Sequence, residues 1–138
     1  SSRDEVLLRS FLQPTDRPLP MVATQDVGRL AAVLLQENWM GTRVVELEGP
    51  VRVSPNDLAL AFATVLERPV KVETVPRESW EQIFRSQGTQ NPLPRIRMLD
   101  GFNEGWIEFS DQGRSAIKGT TTLDSVVANL VAASRAAT

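Results

Sequence analysis

The chain has 138 residues, enough for one compact domain with a sizeable core, and its 41% apolar and 23% charged content is ordinary for a soluble protein. A net charge of −2, with Arg far outnumbering Lys but no basic run, gives no electrostatic case for nucleic acid or an anionic membrane. No apolar stretch approaches a membrane span, no signal pattern opens the chain, and Cys, His and Tyr are all absent. These absences exclude disulfides, thiol chemistry, the commonest metal ligand, the commonest general base and the phenol of many oxidoreductases. A cytoplasmic protein without a metal site is the expectation.

Ser1 and Ser2 read as an end left by cloning or processing. Asp4 to Leu12 reads as a short amphipathic helix, and Pro14, Pro18 and Pro20 hold an extended connection after it. Met21 to Ala23 reads as a short buried strand. Thr24 is a good N-cap and Asp26 puts negative charge in the first turn of a helix. Val27, Leu30, Ala31, Leu34 and Leu35 follow at helical spacing, so their stripe is expected in the core. That helix ends near Asn38 to Gly41. Arg43 to Glu48 (RVVELE) reads as a strand closed by Gly49-Pro50.

Ser54-Pro55-Asn56-Asp57 is a strong helix start, with a capping serine, Pro at the first position and an acid three residues after the cap. Leu58, Ala61, Phe62 and Val65 give its buried face. Arg68-Pro69 breaks it, and Val70 to Val75 (VKVETV) alternates as a strand does. Pro76 opens a further helix carrying Trp80, Ile83 and Phe84 on one face, with Gly88 as its stop. Ser110 to Gly119 is polar and reads as a mobile loop. Thr121 with Asp124 resembles a capping box for a last helix bearing Leu123, Val126, Val127, Leu130 and Val131, with Ala132 to Thr138 fraying.

The stretch from Asn91 to Phe109, NPLPRIRMLDGFNEGWIEF, is the most distinctive. Pro94 suits a first helical turn, and Leu99, Phe102 and Trp106 then share one face. Gly101 and Gly105 lie inside the same pattern, each costing a helix about 1 kcal/mol relative to Ala. Their spacing implies a close approach by a second helix, a ligand or another chain. The alternation of helices and strands predicts an α/β fold, a single domain over 1–138, with a small, largely parallel sheet of about three strands and five or six helices.

The segments SFLQPTDRPLPMVATQDVGRLAAVLL, VVELEGPVRVSPNDLA, RPVKVETVPRESWEQIFRSQG and NPLPRIRMLDGFNEGWIEF together resemble the C-terminal half of NmrA-like NAD(P)-binding proteins, which are atypical short-chain dehydrogenases. In such proteins this half supplies the substrate-side subdomain and the last strand or strands of the Rossmann sheet. The resemblance implies a substrate pocket bordered by Trp80, Phe84, Arg95, Met98, Phe102, Asn103 and Trp106. The departures are equally informative. A dinucleotide site needs a glycine-rich turn between strand and helix, and the eight Gly residues here form none. The Tyr-x-x-x-Lys pair of many short-chain dehydrogenases cannot exist without Tyr, and Glu67 stands where the family tends to place a helix-ending Gly. The expectation is therefore a substrate-side part without its cofactor-binding part, non-catalytic alone, binding no cofactor itself. The alternative is a free-standing small-molecule-binding or dimeric interaction module.

Asp100 and Glu104 are four apart on one helix face, but acids at that spacing are more often solvated or paired, here with Arg95 or Arg97, than catalytic. Arg95 and Arg97 suit either a carboxylate or phosphate, or ordinary surface pairing. The aromatics Trp80, Phe84, Phe102 and Trp106 form either core, the commoner outcome, or the wall of a pocket. Without the cofactor part, Met21 to Ala23 and RVVELE leave an uncovered sheet edge. A homodimer through RVVELE, or through the N-terminal helix with Leu8 and Phe11, is the expected remedy. No nucleic-acid or membrane partner is expected.

Overall fold

A computed structural model describes residues 5–136, so Ser1, Ser2 and Asp4 lie outside the described residues, as do the last two of the chain. The fold is α/β, with five α-helices and two small parallel sheets of two strands each among the described residues. The expected single sheet of about three strands is thus two separate pairs. The chain divides into two compact units: residues through Arg17 join Ser54–Glu108 in the first, and Pro18–Val53 join Phe109 onward in the second.

In the first unit, β1 (Val6–Ser10) pairs in parallel with β3 (Val70–Thr74), in a register running from Val6 opposite Val70 to Ser10 opposite Thr74. Val75 N–H to Ser10 C=O at 2.9 Å continues the ladder. A strand therefore replaces the helix expected over Asp4 to Leu12. An apolar run this short fits either period, and a few residues ahead of Pro14 cannot repay helix nucleation. The VKVET partner decides the outcome, and the half-buried and exposed positions of β1 alternate accordingly.

Between these strands runs α2 (Pro55–Leu66), packed against β3. Its capping box is complete: Asp57 N–H donates to Ser54 Oγ at 3.1 Å, and Ser54 N–H donates to Asp57 Oδ2 at 2.9 Å. Glu67 ends this helix with φ of 55°, the left-handed conformation that a Gly would adopt freely. A short 3₁₀ turn at Arg77–Ser79 leads into α3 (Trp80–Ser86), after which Gly88 takes φ of 95°. Then comes α4 (Leu93–Glu104), with Pro94 in its first turn as expected. Val75, Trp80, Phe84 and Ile96 form the buried core of this unit, and Phe11, Ile83 and Leu99 pack against it.

In the second unit, α1 (Thr24–Gln36) is followed by β2 (Leu47–Glu48), β4 (Ile117–Lys118) and α5 (Leu123–Ala136). The strand expected over RVVELE shrinks to two residues, pairing in parallel with β4. Met21 to Ala23 is not a strand: an isolated antiparallel bridge joins Leu19 to Val53, and Met21 C=O accepts from Gly49 N–H. Ala23, not Thr24, is the N-cap of α1, without a side-chain cap bond. The stripe of α1 is not core. Its one buried residue is Asp26, Leu30 and Leu34 are half-buried, and Val27, Val33 and Leu35 are exposed. Helical spacing marks a face suited to burial, but no element of this unit covers it fully. The N-cap of α5 is Thr122, whose Oγ1 accepts from Ser125 N–H at 3.2 Å, because Thr121 is bound elsewhere. The expected mobile loop after Ser110 is a run of turns leading to β4.

Candidate functional site

Of the seven residues expected to border a pocket, two are fully enclosed. Trp80 and Phe84 are both 0% exposed at the centre of the first unit's core. The Trp80 Nε1–H donates to Val75 C=O at 3.0 Å, so the indole enters the core with its polar atom satisfied. Phe11 meets the Trp80 ring edge-on at 5.7 Å and the Phe84 ring tilted at 5.1 Å. Phe11 is therefore committed to this core rather than to a free N-terminal helix face. The Arg95 guanidinium lies over the Phe84 ring at 4.2 Å, covering it as a cation–π contact.

Asn103 works as a tie. Its side-chain oxygen accepts from Gln13 N–H at 2.7 Å, and its amide donates to Phe11 C=O at 2.9 Å. Its own C=O accepts from Arg17 Nη1 at 2.9 Å. One side chain thus satisfies both backbone groups of the segment after β1 and holds that segment on α4. The remaining three residues face outward to different degrees: Phe102 is half-buried, Met98 is 47% exposed and Trp106 is 59% exposed. The Trp106 Nε1–H is held by Glu104 Oε2 at 2.8 Å. The structure therefore encloses Trp80 and Phe84, engages Arg95 and Asn103 within the unit, and leaves Met98 on α4 and Trp106 beyond its C-cap open. Trp106 does not share the helix face expected for it with Leu99 and Phe102, because Gly105 ends the helix first.

The two glycines of this helix have different partners. A Cβ at Gly101 would meet Ile107 Cγ1 at 2.6 Å and Trp106 Cζ2 at 2.9 Å. The chain's own continuation folds back here, with the N–H groups of Gly105, Trp106 and Ile107 all directed at Gly101 C=O. Gly105 is the C-cap with φ of 85°, and Arg17 Nη2 lies 2.9 Å from where its Cβ would be. The close approach inferred from the spacing is thus made by this chain itself.

Asp100 is hydrogen-bonded to Arg77, and Arg97 adds electrostatic attraction. Arg77 grips it through two bonds of 2.9 Å, from Nε to Oδ1 and from Nη2 to Oδ2. That grip holds the Asp100 carboxyl below the ordinary aspartate range and raises the Arg77 guanidinium, while burial opposes both shifts. An ionised, doubly bonded carboxylate is a poor proton donor, and Glu104 is engaged with Trp106, so the pair is not arranged for acid–base work.

In the second unit, sequence reasoning missed the structural weight of two buried acids. Asp26 accepts from Thr121 N–H at 3.0 Å on Oδ2, and from Thr121 Oγ1 at 2.8 Å and Arg29 Nη1 at 3.2 Å on Oδ1. The Thr121 bonds, backbone first, hold its carboxyl below the ordinary range. Glu48 accepts from Lys118 Nζ at 2.5 Å and from Arg52 Nη2 at 3.5 Å. Gly113 packs so close to Glu48 and Arg52 that a side chain there would displace them. In sequence Asp26 is a first-turn helix acid. Its burial depends on a segment 95 residues away, and spacing carries no trace of that.

Among the described residues no group of three or more acids is placed to hold a metal ion, and no helix is long and apolar enough to cross a membrane. Neither models of known protein families nor the curated proteins contain a match to this chain.

Proposed function

We propose that the chain is the substrate-side module of an NmrA-like NAD(P)-dependent oxidoreductase or redox sensor, non-catalytic by itself. In this reading Met98 and Phe102 of α4, with Trp106 just past its C-cap, face the substrate. Trp80 and Phe84 form the rigid base beneath them, Arg95 covers that base, and Asn103 fixes the helix. The carrying observation is Met98 on α4 and Trp106 just past its C-cap, large apolar side chains left in solvent beside a helix whose other side is anchored in a closed aromatic core. A site needs a recognition surface on a rigid element, and α4 offers both. The parallel β1–β3 pair adds support, because isolated two-stranded parallel sheets are rare outside larger, covered sheets. The substrate class is a small, largely apolar molecule, with the hydride chemistry supplied by a dinucleotide-binding partner segment.

The three methionines make the test direct. With 13C-labelled methionine methyl groups, a library of small apolar carbonyl compounds is screened by NMR. The reading expects hits that shift the Met98 methyl and quench Trp106, leaving Met21 and Met40 unmoved. Hits that move only Met40 or Met21 sink it.

A second reading, a dimeric interaction module, is favoured by a separate observation in the second unit. Leu35, Met40 and Val44 are 85%, 97% and 83% exposed along the end of α1 and the segment after it. Contiguous exposed apolar residues mark association surfaces, and a two-fold dimer is the simplest closure. Light scattering on a dilution series decides it. A dimer weakened by Val44→Lys supports the module, and a monomer at high micromolar concentration removes it.

A further inference from the structure

The β1–β3 pair leaves one edge of β3 open, and the ladder fixes which groups lie on it. Val6 N–H donates to Pro69 C=O at 2.8 Å and Val75 N–H to Ser10 C=O at 2.9 Å, at the two ends of the parallel register. In such a pair alternate residues turn their backbone groups to the neighbouring strand. Pro69, Lys71, Glu73 and Val75 therefore serve β1, and the N–H and C=O of Val70, Val72 and Thr74 point to the opposite edge. Among the described residues no strand and no backbone group pairs with them there. A regular edge of this kind is a template for another strand.

We propose that β3 pairs antiparallel with β3 of a second copy of this chain, about a two-fold axis at Val72. Two β1–β3 pairs then join into one four-stranded sheet. The inference is independent of the α4 surface and of the exposed residues after α1.

Charge selects the partner and the register. An axis at Val72 sets Lys71 opposite Glu73 of the other copy, twice, and Val70 opposite Thr74. Lys71 and Glu73 are both exposed, on the face away from the half-buried Val70 and Val72. An axis at Lys71 or Glu73 sets like charges opposite each other, which is destabilising. An axis between two residues sets exposed side chains against half-buried ones. Among the residues of β3, only Val72 as centre pairs opposite charges.

Backbone phase agrees with this choice. Val72 carries its N–H and C=O on the open edge, so it forms a hydrogen-bonded pair with its own copy, and Val70 with Thr74 likewise. Lys71 and Glu73 then fall at the non-hydrogen-bonded positions, where Cα atoms are about 4.5 Å apart and side chains lie closest. The outer edge of β1 has no such pattern: an axis at Leu8 sets Leu7 against Arg9, without a charge pair.

Sedimentation equilibrium on a concentration series of the full chain is the test. Wild type should dimerise with a Kd on the order of 100 μM. Lys71→Glu and Glu73→Lys should each weaken the dimer at least about tenfold, because each replaces two attractive pairs by two repulsive ones. Glu73→Lys also sets a cation opposite Arg9 within the chain, so far-UV circular dichroism checks that each variant is folded. Mixed one to one, the two variants should form a heterodimer with a Kd within about threefold of wild type, since every 71–73 pair is then again of opposite charge. Val44→Lys should leave the affinity unchanged. The proposal is overturned if wild type is monomeric at about 1 mM, if both folded charge variants dimerise as tightly as wild type, or if their mixture stays monomeric. A dimer that Val44→Lys disperses and Lys71→Glu leaves intact also overturns it, while the dimeric module built on the residues after α1 stands.

Discussion

Truncating Trp80 to Ala removes a fully enclosed side chain whose indole N–H serves the Val75 carbonyl. Loss of a buried aromatic costs about 3–5 kcal/mol, and a buried acceptor left unpaired costs about 1–3 kcal/mol more. The sum, about 4–8 kcal/mol, is comparable with the entire stability of a small domain. Trp106 gives the contrast. It is 59% exposed and its Nε1–H bond to Glu104 lies at the surface. Trp106→Ala should therefore cost below about 1 kcal/mol. Should Trp80→Ala fail to fold, Trp80→Phe keeps a ring and loses the N–H, for about 1–3 kcal/mol. Urea unfolding followed by far-UV circular dichroism reads all three, since tryptophan fluorescence changes with the substitutions themselves. If Trp80→Ala and Trp106→Ala differ by less than about 1 kcal/mol, the division of the aromatics into buried base and open side chains is wrong.

Ser54→Ala removes the Oγ that accepts from Asp57 N–H, while the backbone N–H of residue 54 can still reach Asp57, and should lower stability by about 0.5–2 kcal/mol in the same assay. Gly105→Ala forces a side chain into the left-handed region at the end of α4 and should cost about 1–2 kcal/mol; an unchanged midpoint would mean the cap has another conformation in solution. Asp26 carries a pH signature. Its folded-state pKa lies below the unfolded value, so its stabilisation is complete above the ordinary carboxylate range and is lost as pH falls through the folded value. The difference in Tm between wild type and Asp26→Asn should therefore be widest near neutrality and close below about pH 4, and a gap that widens in acid would reverse the assignment.

Local signals carried much of the first unit. Ser54-Pro55-Asn56-Asp57 became a capped helix, VKVET a strand, and Pro94 the first turn of α4, because each depends on neighbours within four residues. Val6–Ser10 failed as a helix because its state is decided by a partner strand more than sixty residues on, and β preference is set by such context. Gly101 and Gly105 were legible as a close approach, but not as one made by Ile107 and Arg17. The second unit was harder to read. The α1 stripe has the period of a core face, yet burial depends on what the unit supplies to cover it, and the one enclosed residue is an acid. Asp26 and Glu48 look like surface acids in sequence. Their burial is offset by Thr121, Arg29, Lys118 and Arg52, which only the fold brings near.

The α4 reading expects this chain to bind no dinucleotide by itself. Calorimetric titration of NADPH into the pure chain tests that claim most directly. The account predicts no saturable heat through the micromolar range, because no glycine-rich turn presents backbone N–H groups at a helix N-terminus for the pyrophosphate. One-to-one binding with a micromolar Kd would contradict it, and the substrate-side assignment would fall with it.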